Sequence, residues 1–133
     1  MGISGLLTSP SCESCSERFA SVTEQLVARG CGSAEETLII NMQGDQTFVE
    51  SAVIDAIAAE FACRTPTTEV LTPVYRMTTG NVHNPNVVKM LLAVDGRALY
   101  FSSSAIPHVR GVNPADWHAD TTYWGHVGTC GYR

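Results

Sequence analysis

One short stretch constrains the fold of this chain more than any other. Residues 38–40 are Leu-Ile-Ile, a compact apolar run that is rich in β-branched side chains and typical of a buried strand. Residues 41–45 (Asn-Met-Gln-Gly-Asp) follow as a mainly polar loop, and residues 50–63 then carry apolar side chains at helical intervals. Strand, polar loop and helix in this order predict an α/β fold. Because open sheets of that class bind ligands beyond the carboxyl ends of their strands, the loop is the first candidate site.

A second helix is predicted before this unit. Residues 16–29 place Phe19, Val22 and Leu26 on one side, which is the spacing of an amphipathic helix. Gly30 can end it, since glycine is favoured just after the last turn of a helix.

The second half of the chain has the composition of strands. Pro73 interrupts residues 70–75, which favours an edge or a bulge at that point. Residues 87–94 and 98–101 flank the turn dipeptide Asp95-Gly96. These two segments predict the clearest hairpin in the sequence.

The remaining segments are less regular. Residues 110–123 show no defensible period, and we interpret them as a loop with two aromatic anchors, Trp117 and Tyr123. Glycines limit residues 126–132 to a short strand or turn. Lys89 lies in an apolar strand, where it is either a buried amine with a lowered pKa or an edge residue whose ammonium reaches water. We favour the edge position.

Composition narrows the class of protein. The chain has 133 residues, the size of one domain, which we take to be residues 1–133, and 44% hydrophobic against 16% charged residues suits a folded core. With 8 basic and 13 acidic residues the net charge is −5, which argues against nucleic acid as a partner. No apolar run approaches the roughly 20 residues of a membrane span, and the N-terminus lacks the basic start of a signal peptide. We therefore expect no membrane association and a cytoplasmic location.

Two groups of side chains are of types found in metal or redox sites. Cys12 and Cys15 form a C-x-x-C pair, but no second pair follows, and the odd total of five cysteines favours free thiols. His118, Asp120 and His126 are a candidate ligand set, although no helix or strand period fixes their geometry. We interpret these three as solvated loop residues.

The strongest candidate is Gln43-Gly44-Asp45, directly after the predicted strand. A carboxylate at Asp45 can hold a divalent ion that bridges phosphate oxygens, and Gly44 lets the backbone approach a ligand. The alternative is an Asx-type turn that leads into the next helix.

Five segments, in this order, are similar to those of one known family. They are residues 14–18 (SCSER), 38–45 (LIINMQGD), 84–89 (NPNVVK), 98–107 (ALYFSSSAIP) and 126–133 (HVGTCGYR). Together they resemble the CMP-Kdo synthetases, cytidylyltransferases that activate the acidic eight-carbon sugar 3-deoxy-manno-octulosonate (Kdo) for lipopolysaccharide. The resemblance covers nearly the whole chain and implies a Rossmann-like nucleotidyltransferase sheet that is apparently truncated at both ends.

The resemblance also implies an activity and a set of site residues. The activity is the transfer of CMP from CTP to Kdo, with release of pyrophosphate and with Mg²⁺ as cofactor. Asp45 matches an aspartate that helps to bind the catalytic magnesium. Arg18 matches an arginine near CTP, and the sugar side is matched by Gln43, Arg110 and His126. The substrate-binding residues so implied are Arg18, Gln43, Gly44, Arg110 and His126.

The chain departs from the family at several positions. The segment that grips the triphosphate has no match before Ser14, and the family's second magnesium-binding aspartate lies beyond the last matched residue. Ser103 stands where an arginine is usual and Cys130 where a tyrosine is common, which weakens recognition of an anionic sugar. We therefore expect little activity from this chain. The alternative is a noncatalytic remnant that acts as a sugar-binding or dimerisation module.

A homodimer is expected from the predicted strand at residues 38–40. In the family this strand is central, and its neighbour on one side belongs to the unmatched upstream segment. Residues 38–40 contain no charge or proline that would blunt an exposed edge. Either residues 1–8 fold back to cover this edge or two chains pair, and we favour pairing because Gly2, Ser4 and Gly5 make residues 1–8 a poor strand.

Overall fold

The computed structural model describes residues 5–29, 33, 37–44, 49–64 and 67–133 of the chain. These residues form two compact units, the first drawn from Met1–Ile39 with Arg133 and the second from Ile40–Tyr132. The described helices are α1 (Cys15–Arg29), α2 (Ser51–Cys63) and the short α3 (Trp117–Asp120). The described strands are β1 (Ile39–Asn41), β2 (Val70–Leu71), β3 (Val74–Arg76), β4 (Lys89–Leu92), β5 (Ala98–Ser102), β6 (Trp124–His126) and β7 (Cys130–Tyr132).

Side-chain caps fix the start of α1 in the first unit. The backbone N–H of Glu17 donates to Ser14 Oγ at 3.1 Å, and the Glu17 carboxylate accepts from the backbone N–H of Glu13 at 2.7 Å. These bonds satisfy donors that the first turn of a helix leaves unpaired. Val22, on the apolar side predicted from the sequence, is buried.

The described strands form two small sheets, and a proline lies between them. One sheet has the order β1-β7-β2 and the other the order β3-β6-β4-β5. Pro73 separates β2 from β3, each an outer strand of its sheet, as the sequence predicts for a strand that proline interrupts. The two connections between the sheets run side by side, because Val127 N–H donates to Pro73 O at 3.3 Å and the Thr72 hydroxyl donates to Thr129 O at 2.9 Å.

The four-stranded sheet contains the predicted hairpin. Its described pairings, β3 with β6, β6 with β4 and β4 with β5, are all antiparallel. Met90 lies opposite Phe101 across the hairpin. Gly96 has φ +84° in the turn, a backbone conformation that glycine adopts without strain. The predicted hairpin is therefore confirmed. The two predicted helices, α1 and α2, and the predicted α/β class are confirmed as well.

The described core packs beside this sheet. Trp117 Nε1 donates to Val112 O at 3.1 Å, and the Tyr123 hydroxyl donates to Pro107 O at 2.6 Å. Both aromatic anchors predicted in residues 110–123 are thus buried and hydrogen-bonded. The buried cluster consists of Met77, Val82, Trp117 and Tyr123, and the side chains packed against it are Val87, Ala105, Val109 and Val112.

The favoured interpretation of Lys89 is wrong. Its strand, β4, lies between β6 and β5, and Lys89 is 0% exposed. Burial lowers the pKa of its amine, as the less favoured alternative predicts. The sequence pattern of the hairpin predicts the neighbour of β4 on one side only, which is β5. The neighbour on the other side is β6, which comes from the far end of the chain.

Candidate functional site

The polar loop singled out by the sequence begins directly after β1. Gln43 and Gly44 are exposed, and the Gln43 side chain forms no hydrogen bond with the residues that the structure describes. An added Cβ at Gly44 would meet no atom within 4 Å among the described residues, so packing there does not require glycine. Asp45, the predicted magnesium ligand, lies outside the described residues. Its role stays a prediction.

His126, the last residue of β6, is the best-defined member of the predicted site. Its Nε2 lies 2.8 Å from Thr72 Oγ1, whose hydroxyl donates to Thr129 O. A carbonyl oxygen only accepts and the hydroxyl has one proton, so Nε2 must be the donor to Thr72. His126 is half-buried, and desolvation lowers the pKa of its imidazole from 6.5. The ring is therefore neutral at pH 7, with its proton on Nε2.

Two further side chains approach the same ring. Phe101 of β5 contacts His126 edge to face, with ring centroids 5.4 Å apart. Cys130 Sγ of β7 lies 3.9 Å from His126 Nε2, at the long end for a hydrogen bond to sulfur. His126, Thr72 and Cys130 thus bring together the two connections between the sheets. Sequence reasoning missed Thr72. The only sequence signal for this residue is its position directly before Pro73, which interrupts the strand.

Arg110 lies in an exposed turn between the two valines of the core. Val109 and Val112 pack on the buried cluster, and Gly111 has φ +79° in the turn. The Arg110 guanidinium has no hydrogen-bond or ion-pair partner within the described ranges. It is therefore an exposed cation available to an anionic ligand.

Arg18 belongs to the first unit, and most of its donors are already used. Nη1 donates to Thr8 Oγ1 at 3.1 Å and to Ser9 O at 3.4 Å, while Nη2 donates to Cys12 O at 3.1 Å. These bonds hold the loop before α1 against the helix. Arg18 also borders a cavity of about 420 Å³ that is lined by Leu6, Thr8, Arg18, Phe19, Val22, Leu26 and Arg29.

The amine of Lys89 joins two loops of the second unit. Nζ donates to Asn84 O at 2.5 Å and to Ser103 O at 3.0 Å. Ser103 follows the end of β5, and Asn84 belongs to the NPN segment before β4. The sequence placed Lys89 in a strand but gave no signal for this link.

The described residues contain no group of three or more His, Cys, Asp and Glu side chains able to hold a metal ion. His118 and Asp120 are exposed, but they lie in the short helix α3, so their interpretation as loop residues is wrong. The four cysteines in the described part, Cys12, Cys15, Cys63 and Cys130, are free thiols. Within the same residues, none of the helices has the length and apolar character needed to cross a membrane.

Comparison with known proteins relates the whole chain to one family. The sequence model of the family described as Cytidylyltransferase matches residues 1–133. The 3-deoxy-manno-octulosonate cytidylyltransferase of Porphyromonas gingivalis is 35% identical over 130 residues, which are 96% of this chain and 49% of that protein. The enzyme of the same name from Myxococcus xanthus is 33% identical over 132 residues, 99% of this chain and 48% of that protein. The chain therefore spans about half the length of the curated relatives it matches.

A solved structure shares the fold. It is a CMP:2-keto-3-deoxy-manno-octonic acid synthetase complexed with CTP, 25% identical to this chain, with a TM-score of 0.76. The match covers 96% of this chain and 47% of that one. The likeness in fold thus extends over nearly all of residues 1–133.

Proposed function

This chain belongs to the cytidylyltransferase family, and from that membership we propose that it carries part of an active site that transfers CMP from CTP to Kdo. The products are CMP-Kdo and pyrophosphate, for lipopolysaccharide synthesis. The match of the family model to residues 1–133 is the observation that carries this proposal. The names of the two relatives described above indicate the sugar.

On the sugar side, we assign different chemical tasks to three residues. Because His126 gives its Nε2 proton to Thr72, its Nδ1 remains as an acceptor for a sugar hydroxyl. A neutral imidazole supplies no charge for the sugar carboxylate, so that task falls to the unpaired guanidinium of Arg110. Gln43 supplies an amide N–H as a further donor. These three are proposed to converge around Kdo.

On the nucleotide side, the proposed residues are Asp45, Gly44 and Arg18. A carboxylate at Asp45 has the hard oxygen ligands that Mg²⁺ prefers, and the ion would offset the charge of the triphosphate. Gly44 lets the backbone approach the ligand, which agrees with the open space around it. Arg18 would add positive charge near CTP, although three of its contacts already hold the loop before α1.

A second candidate function is a noncatalytic sugar-binding or dimerisation module. The chain spans about half the length of the curated relatives. Its Arg18 side chain is already hydrogen-bonded to the loop before α1. Orientation of the reacting groups is worth up to about 7–11 kcal/mol of the barrier, so a partial site loses most of the rate. We therefore propose that residues 1–133 alone form no CMP-Kdo above background.

We also propose a homodimer in the cytoplasm. On the outer strand β5, Leu99 and Tyr100 are each 60% exposed and Phe101 is 47% exposed. Edge strands with exposed apolar side chains pair readily with a second copy. Free thiols at the described cysteines fit a reducing compartment.

Titration of Kdo into residues 1–133, followed through amide NMR shifts, tests the sugar site. Affinity in the millimolar range, about −4 kcal/mol, is expected from so few charge-assisted contacts, with shifts at Gly44 and His126. The His126→Phe variant should bind more weakly, whereas His118→Phe, at an exposed residue of α3, should bind as the parent does. Absence of shifts at both positions at high Kdo concentration would remove this site. A pyrophosphate-release assay separately decides between the two candidate functions.

A further inference from the structure

The loop that carries Arg110 is held to the fold by one buried aromatic side chain. This Arg110 loop, residues 103–113, leads from the end of β5 towards α3. Trp117, the first residue of α3, is 7% exposed and donates from Nε1 to Val112 O at 3.1 Å. Its ring also contacts the ring of His108 edge to face, with centroids 4.7 Å apart. One indole thus contacts the loop two residues before and two residues after Arg110.

The Arg110 side chain has no anchor of its own in the part of the chain that the structure describes. Its guanidinium is exposed and forms no hydrogen bond or ion pair with those residues. Val109 and Val112 pack on the buried cluster, while Arg110 between them is directed to solvent. The place of the guanidinium is therefore set by the backbone, and the backbone is held by the contacts of its neighbours.

We propose that Trp117 is a positioning residue, which fixes the Arg110 loop so that the guanidinium meets the carboxylate of an acidic sugar. For the identity of that sugar, Kdo, this inference rests on the proposed function. A loop that is already ordered loses less conformational entropy on binding, so the same charge-assisted hydrogen bonds give a higher affinity. The indole is buried and its one N–H is bonded to Val112 O, so Trp117 acts on the sugar only through Arg110.

Titration of Kdo and of its methyl ester, followed through amide NMR shifts, tests the proposal. The ester keeps the hydroxyl groups of the sugar but lacks the charge that Arg110 is proposed to meet. Trp117→Phe loses the N–H donor and keeps an aromatic ring. In this variant the affinity for Kdo should fall about fivefold, while the ester should bind as it does to the parent. A general loss of structure would instead weaken both ligands alike, and that result overturns the proposal.

Trp124→Phe is the matched control for the loss of an indole. Trp124 lies in β6, and its indole forms no hydrogen bond with the residues that the structure describes. This variant should change neither affinity. An equal loss of Kdo affinity in Trp124→Phe and Trp117→Phe would overturn a specific role for Trp117.

A double-mutant cycle shows whether Trp117 acts through the guanidinium. Arg110→Gln should weaken Kdo binding about tenfold, because a charged donor is lost. Adding Trp117→Phe to this variant should weaken binding no further, since no guanidinium is left to position. Effects that multiply in the double variant, or an unchanged Kdo affinity in the folded Trp117→Phe variant, overturn the proposal.

A measurement without sugar separates this proposal from the proposed function. In the parent, the backbone ¹H–¹⁵N NOE values of Arg110 and Gly111 should equal those of β4, and in Trp117→Phe they should fall. Low values in the parent, as in a mobile loop, overturn the proposal. If the parent binds no Kdo, the proposed sugar site is removed, whereas ordered amides that become mobile in Trp117→Phe still support the hold of Trp117 on the loop.

Discussion

The Nζ atom of Lys89 donates a 3.0 Å hydrogen bond to the carbonyl oxygen of Ser103. A second bond, of 2.5 Å, reaches Asn84 O, and Lys89 is fully buried in β4. Among the residues with described positions, no carboxylate pairs with this amine. Two backbone oxygens alone therefore hold it, and they tie the loop before β4 to the loop after β5.

Replacement of this lysine should destabilise the second unit. In Lys89→Met the carbonyl groups of Asn84 and Ser103 lose their bonds to the buried amine, and the free energy of unfolding near pH 7 should fall by about 2 kcal/mol. Urea unfolding followed by circular dichroism measures the change. Arg76→Met, at an exposed cation in β3, is the control and should change stability by less than about 0.5 kcal/mol. Equal stability of Lys89→Met and the parent would contradict this account.

The burial of Lys89 also predicts that the free energy of unfolding depends on pH in the alkaline range. Burial lowers the pKa of the folded amine from 10.5, so between that lowered value and 10.5 the unfolded chain binds more protons than the folded chain. The free energy of unfolding therefore gains a contribution as pH rises through this window. The stability difference between the parent and Lys89→Met should widen as the pH rises from neutral towards 10.5. A constant difference would show that Lys89 titrates alike in both states.

Local patterns predicted the elements of the fold, and long-range contacts explain what they missed. The spacing of Phe19, Val22 and Leu26 identifies α1, and Asp95-Gly96 identifies the hairpin, because both signals lie within one element. The burial of Lys89 depends on β6, which joins the sheet from the end of the chain. The same holds for the site, where Thr72 meets His126 across a separation of 54 residues. No local pattern carries such a contact.

Acid should weaken the folded state through His126. Desolvation lowers the pKa of the folded imidazole below its value of 6.5, so the folded state binds this proton less well than the unfolded chain does. The contribution is fully present above pH 6.5 and is lost as pH falls through the folded pKa. Between about pH 7.5 and pH 5, His126→Phe should therefore lose less stability than the parent. The exposed His118→Phe control should retain the parental slope, and a parental slope in His126→Phe would contradict the prediction.

The Tyr123 hydroxyl should stabilise the loop that carries Arg110. It donates a 2.6 Å hydrogen bond to Pro107 O from a residue that is 2% exposed. Tyr123→Phe leaves that carbonyl without this donor, and the free energy of unfolding should fall by about 1 kcal/mol. Tyr132→Phe, at a half-buried tyrosine of β7, is the control for loss of a hydroxyl. Thermal unfolding measures both, and an equal effect of the two variants would argue against a specific role for the bond to Pro107.

Tyr75 and Gly125 should be energetically coupled across β3 and β6. They lie directly opposite each other, and a Cβ at position 125 would stand 2.5 Å from Cζ of the Tyr75 ring. Because real contacts are never this short, Gly125→Ala forces the ring aside and should cost about 1–3 kcal/mol. In the Tyr75→Ala background the same change should cost much less, since the obstructing ring is gone. Gly80→Ala, where an added Cβ meets no described atom within 4 Å, controls for the loss of glycine itself. Additive effects of the two substitutions in urea unfolding would show that the ring does not pack on Gly125.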